Sequence, residues 1–417
     1  MSKIKTRLSR FLKTFGPSVI TGVADDDPSG IATYTQAGAM FGTNLLWSAL
    51  FTYPLVVTVQ SMCARIGMVT EKGLIAVIKD KYPRWLLHLL VVVNFIAISL
   101  NIGADIQAMG AVSNMLFPFI HPTLFSVAFT FAIFYAMAVL NYNRIATVLK
   151  WLTLSLFAYI CIPFIVHVDM GHILKETFTP KISLSKDYIM MVVAILGTTI
   201  SPYLFFWQAS IEVEERRRLG WVNITERRID HIETDVKLGM LFTNIGFYFI
   251  ILAASSVLCV SGIHDVISLE SAAEALKPIA GEYTYVLFAT GVLGTGFLAI
   301  PVLAGSIGYM FSDMFGWGSG LNKKWDQAPG FYVIMMLALA VGLAIDLIGL
   351  PPMKSLIYAA ILYGITSPVL VGIIMNIAND KKLMGKHKNG PWFNVFGTIA
   401  FVVITLASLA LIYYSIV

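Results

Sequence analysis

The strongest constraint on this chain is a series of apolar runs, at 85–100, 122–140, 149–166, 238–262, 331–350 and 392–416. Each is close to the roughly 20 residues that a helix, rising ~1.5 Å per residue, needs to cross a ~30 Å hydrocarbon core. In water such runs would need a charged coat that this sequence lacks. Hydrophobic residues make up 57% of the 417 residues and charged residues only 13%, where a soluble chain is about a quarter charged. The fold class is therefore an all-α polytopic membrane protein, and soluble enzymes, nucleic-acid binders and secreted scaffolds are excluded. Cys63, Cys161 and Cys259 have no paired spacing and lie in or beside apolar runs, which reads as packing and gives no support to a disulfide framework or a zinc site.

Eleven spans can be drawn, at about 15–41, 43–66, 85–113, 122–141, 146–167, 188–210, 236–262, 284–312, 331–350, 355–377 and 392–416. With the N-terminus in the cytoplasm, 24 of the 29 Lys and Arg residues fall on the cytoplasmic side. That asymmetry follows the positive-inside rule and supports both the count and the orientation. The basic Met1–Lys13 segment precedes a first apolar stretch without a small-residue cleavage site, so it reads as a retained span and not a signal peptide. Arg216–Arg218, following Glu212, Glu214 and Glu215, reads as the solvated face of a short cytoplasmic helix.

Two spans carry polar interruptions, which persist inside a bilayer mainly where they line a site. The first contains Ala24-Asp25-Asp26-Asp27-Pro28-Ser29-Gly30. Pro28 has no N–H to give to the carbonyl four residues back, so it frees the C=O of Ala24 and drives Asp27 out of helical conformation. Gly30 permits a sharp reversal. Two half-helices meeting at Asp27, with a bare carbonyl beside a carboxylate, are expected. The sixth span repeats the device in Thr198-Thr199-Ile200-Ser201-Pro202-Tyr203, where Pro202 frees the C=O of Thr198 and Ser201 stands as Asp27 does. Five spans separate the breaks, an odd number, so the second unit is inverted relative to the first. Broken helices at matching places in two inverted repeats point to a transporter site near the membrane midplane.

Asp27, the carbonyls of Ala24 and Thr198 and the hydroxyl of Ser201 are all oxygen donors, a set suited to a small hard cation such as Mg²⁺, Ca²⁺ or Mn²⁺. Neither break holds a His or Cys. Asp25 and Asp26 either widen the negative field or pair with other groups. Asp105, within the third span, is a candidate for proton transfer or ion attraction, or else a helix contact to Asn101 or Gln107. Gln36 reads equally as support behind the site and as an interhelical hydrogen bond. Nothing resembles a zinc-protease His pair or a nucleophile elbow.

The block Asp27-Pro28-Ser29-Gly30, with Gly16-Pro17 before it and Ala32-Thr33, Gln36-Ala37-Gly38-Ala39 and Leu46-Trp47 after it, resembles the NRAMP family of divalent-metal transporters. Ser201-Pro202-Tyr203, Arg228-Ile229-Asp230 and Asn379–Gly385 extend the resemblance over roughly 14–390. It implies a LeuT-like 5+5 inverted-repeat fold with helices 1 and 6 broken. Residues 14–167 would be the first repeat, 188–377 the second and 391–417 an additional span, all in one membrane domain spanning 1–417. Carried over by position, it implies Asp27 as metal carboxylate and Ala24 and Thr198 as carbonyl ligands. Three departures stand out: the family's ligand asparagine is Gly30, its ligand methionine is Ser201, and the histidine associated with proton movement is Tyr203. The acidic pair of the third span is reduced to Asp105. Loss of the thioether resembles the branch that accepts Mg²⁺, an ion that sheds water reluctantly.

The function expected is alternating-access transport of divalent cations across the plasma or inner membrane, with an oxygen-rich site suited to Mg²⁺ or Mn²⁺. The metal is cargo; no cofactor and no nucleic acid is expected, and the lipid bilayer is the standing partner. Proton-coupled Mn²⁺/Fe²⁺ symport is the alternative within the class, and proton coupling stays open. A cation-coupled organic-solute symporter on the same fold is the alternative outside it.

Overall fold

The computed structural model describes residues 21–22, 24–139 and 158–416, with side chains through Tyr414. The expectations placed on Gly16-Pro17, on the basic N-terminal segment and on the start of the fifth span lie outside the described residues. The described residues form helices joined by short turns, with no strand among them.

The first helices are α1 (Pro28–Phe41), α2 (Leu46–Thr70), α3 (Leu74–Lys81), α4 (Arg84–Leu116) and α5 (Pro122–Val139). They are followed by α6 (Ala158–Ile165), α7 (Met170–Phe178), α8 (Lys186–Thr199), α9 (Pro202–Arg218) and α10 (Glu226–Ala254), the last ending in a π turn at Ser255–Cys259. Two short helices, α11 (Leu269–Ala273) and α12 (Lys277–Ala280), lead into α13 (Thr284–Phe315), α14 (Pro329–Asp346) and α15 (Pro352–Ala378). The chain closes with α16 (Lys381–Met384) and α17 (Pro391–Ile416).

Among the described residues, nine segments are long and apolar enough to cross a membrane, the first combining α1 and α2 and another combining α8 and α9. They differ sharply in how much the protein itself covers them. Within its most apolar stretch the α8–α9 segment is 89% buried, against 22% for α5 and 28% for α17. The broken segment is therefore the centre of the molecule, while α5 and α17 present apolar surface outward, such as Phe131, Tyr135, Leu406 and Leu409. An apolar helix exposed in this way needs lipid as its solvent.

Around the centre, α1 packs on α8, α10 and α15, α9 packs on α2 and α13, and α4 packs on α13, α14 and α15. The tightest approach joins α8 to α15. A side chain on Gly197 would lie 1.9 Å from the Ala360 carbonyl oxygen, and one on Gly364 would lie 2.4 Å from the Val193 carbonyl oxygen. Only hydrogen at both positions allows the two backbones to meet.

At the end of α9 the solvated-helix reading of Arg216–Arg218 holds for part of the run only. Arg216 is buried, donating to the carbonyls of Met68, Trp221 and Val222 and pairing with Glu71. It ties the end of α2, whose last carbonyls lack helical partners, to the end of α9. Arg217 and Arg218 are exposed.

Candidate cation site at two helix breaks

The first break falls at Asp26–Asp27. Residues 24–25 are helical, and the chain then becomes extended at Asp27 (φ −69°, ψ 170°) before α1 begins at Pro28. This is the conformation that a following proline imposes, with Pro28 at the helix position where its missing N–H costs nothing. The Asp27 carboxylate caps α1, accepting from the Gly30 N–H at 2.7 Å. Gly30 makes no reversal: it lies within the first turn of α1 and has no positive φ. The bend is complete two residues earlier, and Gly30 contributes its N–H and its smallness, since a side chain there would lie 3.4 Å from Thr198 Oγ1.

The second break has the same form, with Ser201 extended (φ −76°, ψ 128°) and Pro202 opening α9. Here the polar side chain turns backward: Ser201 Oγ lies 2.7 Å from the Thr198 carbonyl oxygen and 2.9 Å from that of Gly197. The two breaks face each other. Tyr34 of α1 meets Thr199 of α8 at 3.3 Å between hydroxyls, and the Tyr203 hydroxyl donates to the Ala24 carbonyl at 3.2 Å.

The prolines thus free the carbonyls of Ala24 and Thr198 from their helices, but neither is bare. Ser201 hydrogen-bonds Thr198 and Tyr203 hydrogen-bonds Ala24, because a buried carbonyl without a partner is costly and a nearby hydroxyl relieves it. Each carbonyl retains a second lone pair.

The carboxylates sort differently. Asp27, 2% exposed, also accepts from Asn101 Nδ2 of α4 at 2.8 Å. Asp26 accepts from the Thr243 hydroxyl of α10 at 2.7 Å. Asp25 and Asp105 are buried, and none of their four oxygens has a hydrogen-bond partner. Asp105 lies one helical turn beyond Asn101, on the same face of α4. No ion pair among the described residues involves Asp25, Asp26, Asp27 or Asp105. Buried negative charge without a basic partner costs several kcal/mol per group, about the largest penalty a protein interior imposes. A cation from solution, a proton or a metal ion, would relieve it.

Asp27, Ala24, Thr198, Ser201 and Tyr203 are thus brought together, with Asp25, Asp26 and Asp105 close by. Gln36 is not among them. It faces the opposite end of α1, where Oε1 accepts from the Val266 N–H at 2.8 Å and Nε2 approaches the His264 carbonyl at 3.4 Å. Sequence reasoning missed four contributors: Asn101 as the partner of Asp27, Thr243, and Tyr363 and Ser367 of α15. Ser367 donates to the Ile200 carbonyl inside the second break at 2.9 Å, and the Tyr363 ring lies 5.7 Å from that of Tyr203. Asn101, Thr243 and Ser367 are polar residues within apolar spans, and that was the available signal.

A multi-pass helical membrane fold in which two broken helices meet around buried carboxylates defines a transporter of the LeuT-like class. The model of the family "Natural resistance-associated macrophage protein-like" matches residues 18–414, and the chain belongs to this Nramp family. The divalent metal cation transporter MntH of Caldanaerobacter subterraneus subsp. tengcongensis is 24% identical over 94% of this chain and 90% of its own length. MntH of Bacillus subtilis is also 24% identical, over 96% and 92%. Among solved structures, the Eremococcus coleocola manganese transporter matches with a TM-score of 0.75 at 16% identity, covering 95% of this chain and 85% of its own. Mhp1, a nucleobase-cation-symport-1 family transporter, matches at 0.58 with 11% identity, over 96% and 90%.

Proposed function

We propose that this chain carries divalent metal cations across the plasma or inner membrane, with its N-terminus in the cytoplasm, by alternating access around the two facing breaks. Residues 14–167 and 188–377 act as inverted repeats that rock about the site, and 391–417 is an added span. The observation that carries the reading is the cluster of buried carboxylates at the first break, which lacks any basic partner among the described residues. Asp27 supplies the charge at the cation, while Ala24, Thr198 and Ser201 supply oxygen directly or through water. Asp25, Asp26 and Asp105 make the approach negative.

Both freed carbonyls already accept one hydrogen bond, which favours an ion that keeps part of its water shell. Mg²⁺ has that property, since it dehydrates reluctantly. The absence of a soft sulfur ligand at Ser201 points the same way. Proton-coupled Mn²⁺ uptake is the second reading, favoured by the names of the relatives. An organic-solute symporter is disfavoured because the clustered carboxylates repel the carboxylate of such a substrate.

The test is flux of Mg²⁺, Mn²⁺ and Ca²⁺ into proteoliposomes, with and without a pH gradient, for wild type and Asp27→Ala. The variant should reduce flux to background. Undiminished flux would sink the site assignment, and exclusion of Mg²⁺ would sink the hard-cation reading.

A further inference from the structure

Tyr363 stands in the middle of α15, 1% exposed, and its hydroxyl makes no hydrogen bond of ordinary geometry, with the Asn101 side chain as its polar neighbour. A tyrosine buried in an apolar span normally finds a partner for its O–H, so this group calls for an explanation. The ring packs against Tyr203, whose own hydroxyl reaches the first break. It lies beside the Asn101 side chain and within electrostatic reach of Asp27 and Asp105. Asn101 is itself half satisfied: Nδ2 donates to Asp27, while Oδ1 has no partner. Tyr363 thus holds an unused donor and Asn101 an unused acceptor, on neighbouring side chains at the edge of the carboxylate cluster.

We propose that Tyr363 is a specificity-determining residue that reads the water shell of the transported cation. The Tyr363 O–H donates to Asn101 Oδ1, Asn101 Nδ2 donates to Asp27, and the Tyr363 oxygen accepts from a water held by the metal. Each bond in this chain polarises the next, so the water contact strengthens as the cation approaches Asp27. An ion that enters with its shell gains this contact, and one that binds stripped of water does not. Mg²⁺, which gives up water reluctantly, therefore depends on Tyr363 more than Mn²⁺ does. The inference rests on the divalent-cation reading above and adds the means by which that site distinguishes ions.

The experiment is calorimetric titration of the purified full-length chain with Mg²⁺ and with Mn²⁺, for wild type, Tyr363→Phe, Tyr358→Phe and Asp27→Ala. Phenylalanine keeps the ring against Tyr203 and removes only the hydroxyl. Tyr358, half exposed on the same helix, is the control and should leave both affinities unchanged. Tyr363→Phe should raise the Kd for Mg²⁺ about tenfold, the loss expected for a hydrogen bond to a charged group, and leave Mn²⁺ nearly unaffected. An equal change for both ions, or none, would overturn the assignment and leave the transport reading standing. Failure of wild type to bind either ion, or undiminished binding by Asp27→Ala, would overturn the transport reading itself.

Discussion

Gln36 hydrogen-bonds the loop after α10, in keeping with the interhelical one of its two sequence readings, and that contact leads to a quantitative prediction. The amide joins α1 to the loop between α10 and α11, with its strongest contact, 2.8 Å, to the Val266 N–H. Both residues are buried, at 5% and 2% exposure. The contacts of Nε2 to the His264 carbonyl and to Asp265, at 3.4 and 3.5 Å, are too long to count for much. Replacing Gln36 by leucine keeps most of the volume and leaves the Val266 N–H buried without a partner, which costs about 1–3 kcal/mol.

That cost falls only on the state in which the loop lies against α1, because in the opened state water satisfies the N–H in wild type and variant alike. Local opening of the loop should therefore rise by about 5- to 150-fold, at about 1.4 kcal/mol per factor of ten. Hydrogen–deuterium exchange on the purified full-length chain reads this directly, in peptides covering 260–270, with peptides from α8 and α15 as internal references. Exchange of the loop within roughly twofold of wild type would refute the contact. Equal acceleration in α8 and α15 would also refute it, by showing global loosening instead of a local release.

Two further substitutions probe the site and the packing that supports it. Ser201→Met replaces the hydroxyl that caps the Thr198 carbonyl with a thioether, so affinity for Cd²⁺ and Mn²⁺ should rise severalfold relative to Mg²⁺, as measured by competition binding. Gly197→Ala places a methyl group 1.9 Å from the Ala360 carbonyl oxygen, which forces α8 from α15 at a cost of about 1–3 kcal/mol. Its thermal unfolding midpoint should fall by several degrees, and an unchanged midpoint would contradict the close approach.

What the sequence revealed and what it hid divide along a physical line. Proline acts on its own backbone and that of the preceding residue, so the breaks at Asp27-Pro28 and Ser201-Pro202 could be placed without any tertiary information. Orientation of polar side chains depends on partners distant in the chain. Tyr203 reaches a carbonyl 179 residues away, Asn101 a carboxylate 74 away, and Gln36 an N–H 230 away. Gln36 sits a little over two turns from Asp27 and points elsewhere, because a distance in residues along a helix fixes its face but not what the next helix presents. Arg216 was misread for the same reason: its charge pattern is that of a solvated helix, but the end of α2 supplies carbonyls that bury it. Tyr363 gave no signal at all, since an aromatic residue in an apolar run is the commonest kind of span residue.

Ser201 and Tyr203, on either side of Pro202, have a common physical effect on the two freed carbonyls. Methionine has no hydrogen to donate, so a methionine in place of Ser201 would leave the Thr198 carbonyl with both lone pairs for a metal. Serine takes one of them at 2.7 Å. At Tyr203, the phenol spans the break and takes one lone pair of Ala24. Both hydroxyls take up acceptor capacity where the breaks face each other, and neither is bonded to a carboxylate. On the proposed reading, such a site would hold its charge while offering fewer direct contacts, and the ion that loses least would be one that brings its own waters. Selectivity would then depend on groups that contact water and not metal, so a search for ion preference should begin at hydroxyls and amides facing Asp27, Asn101 first among them.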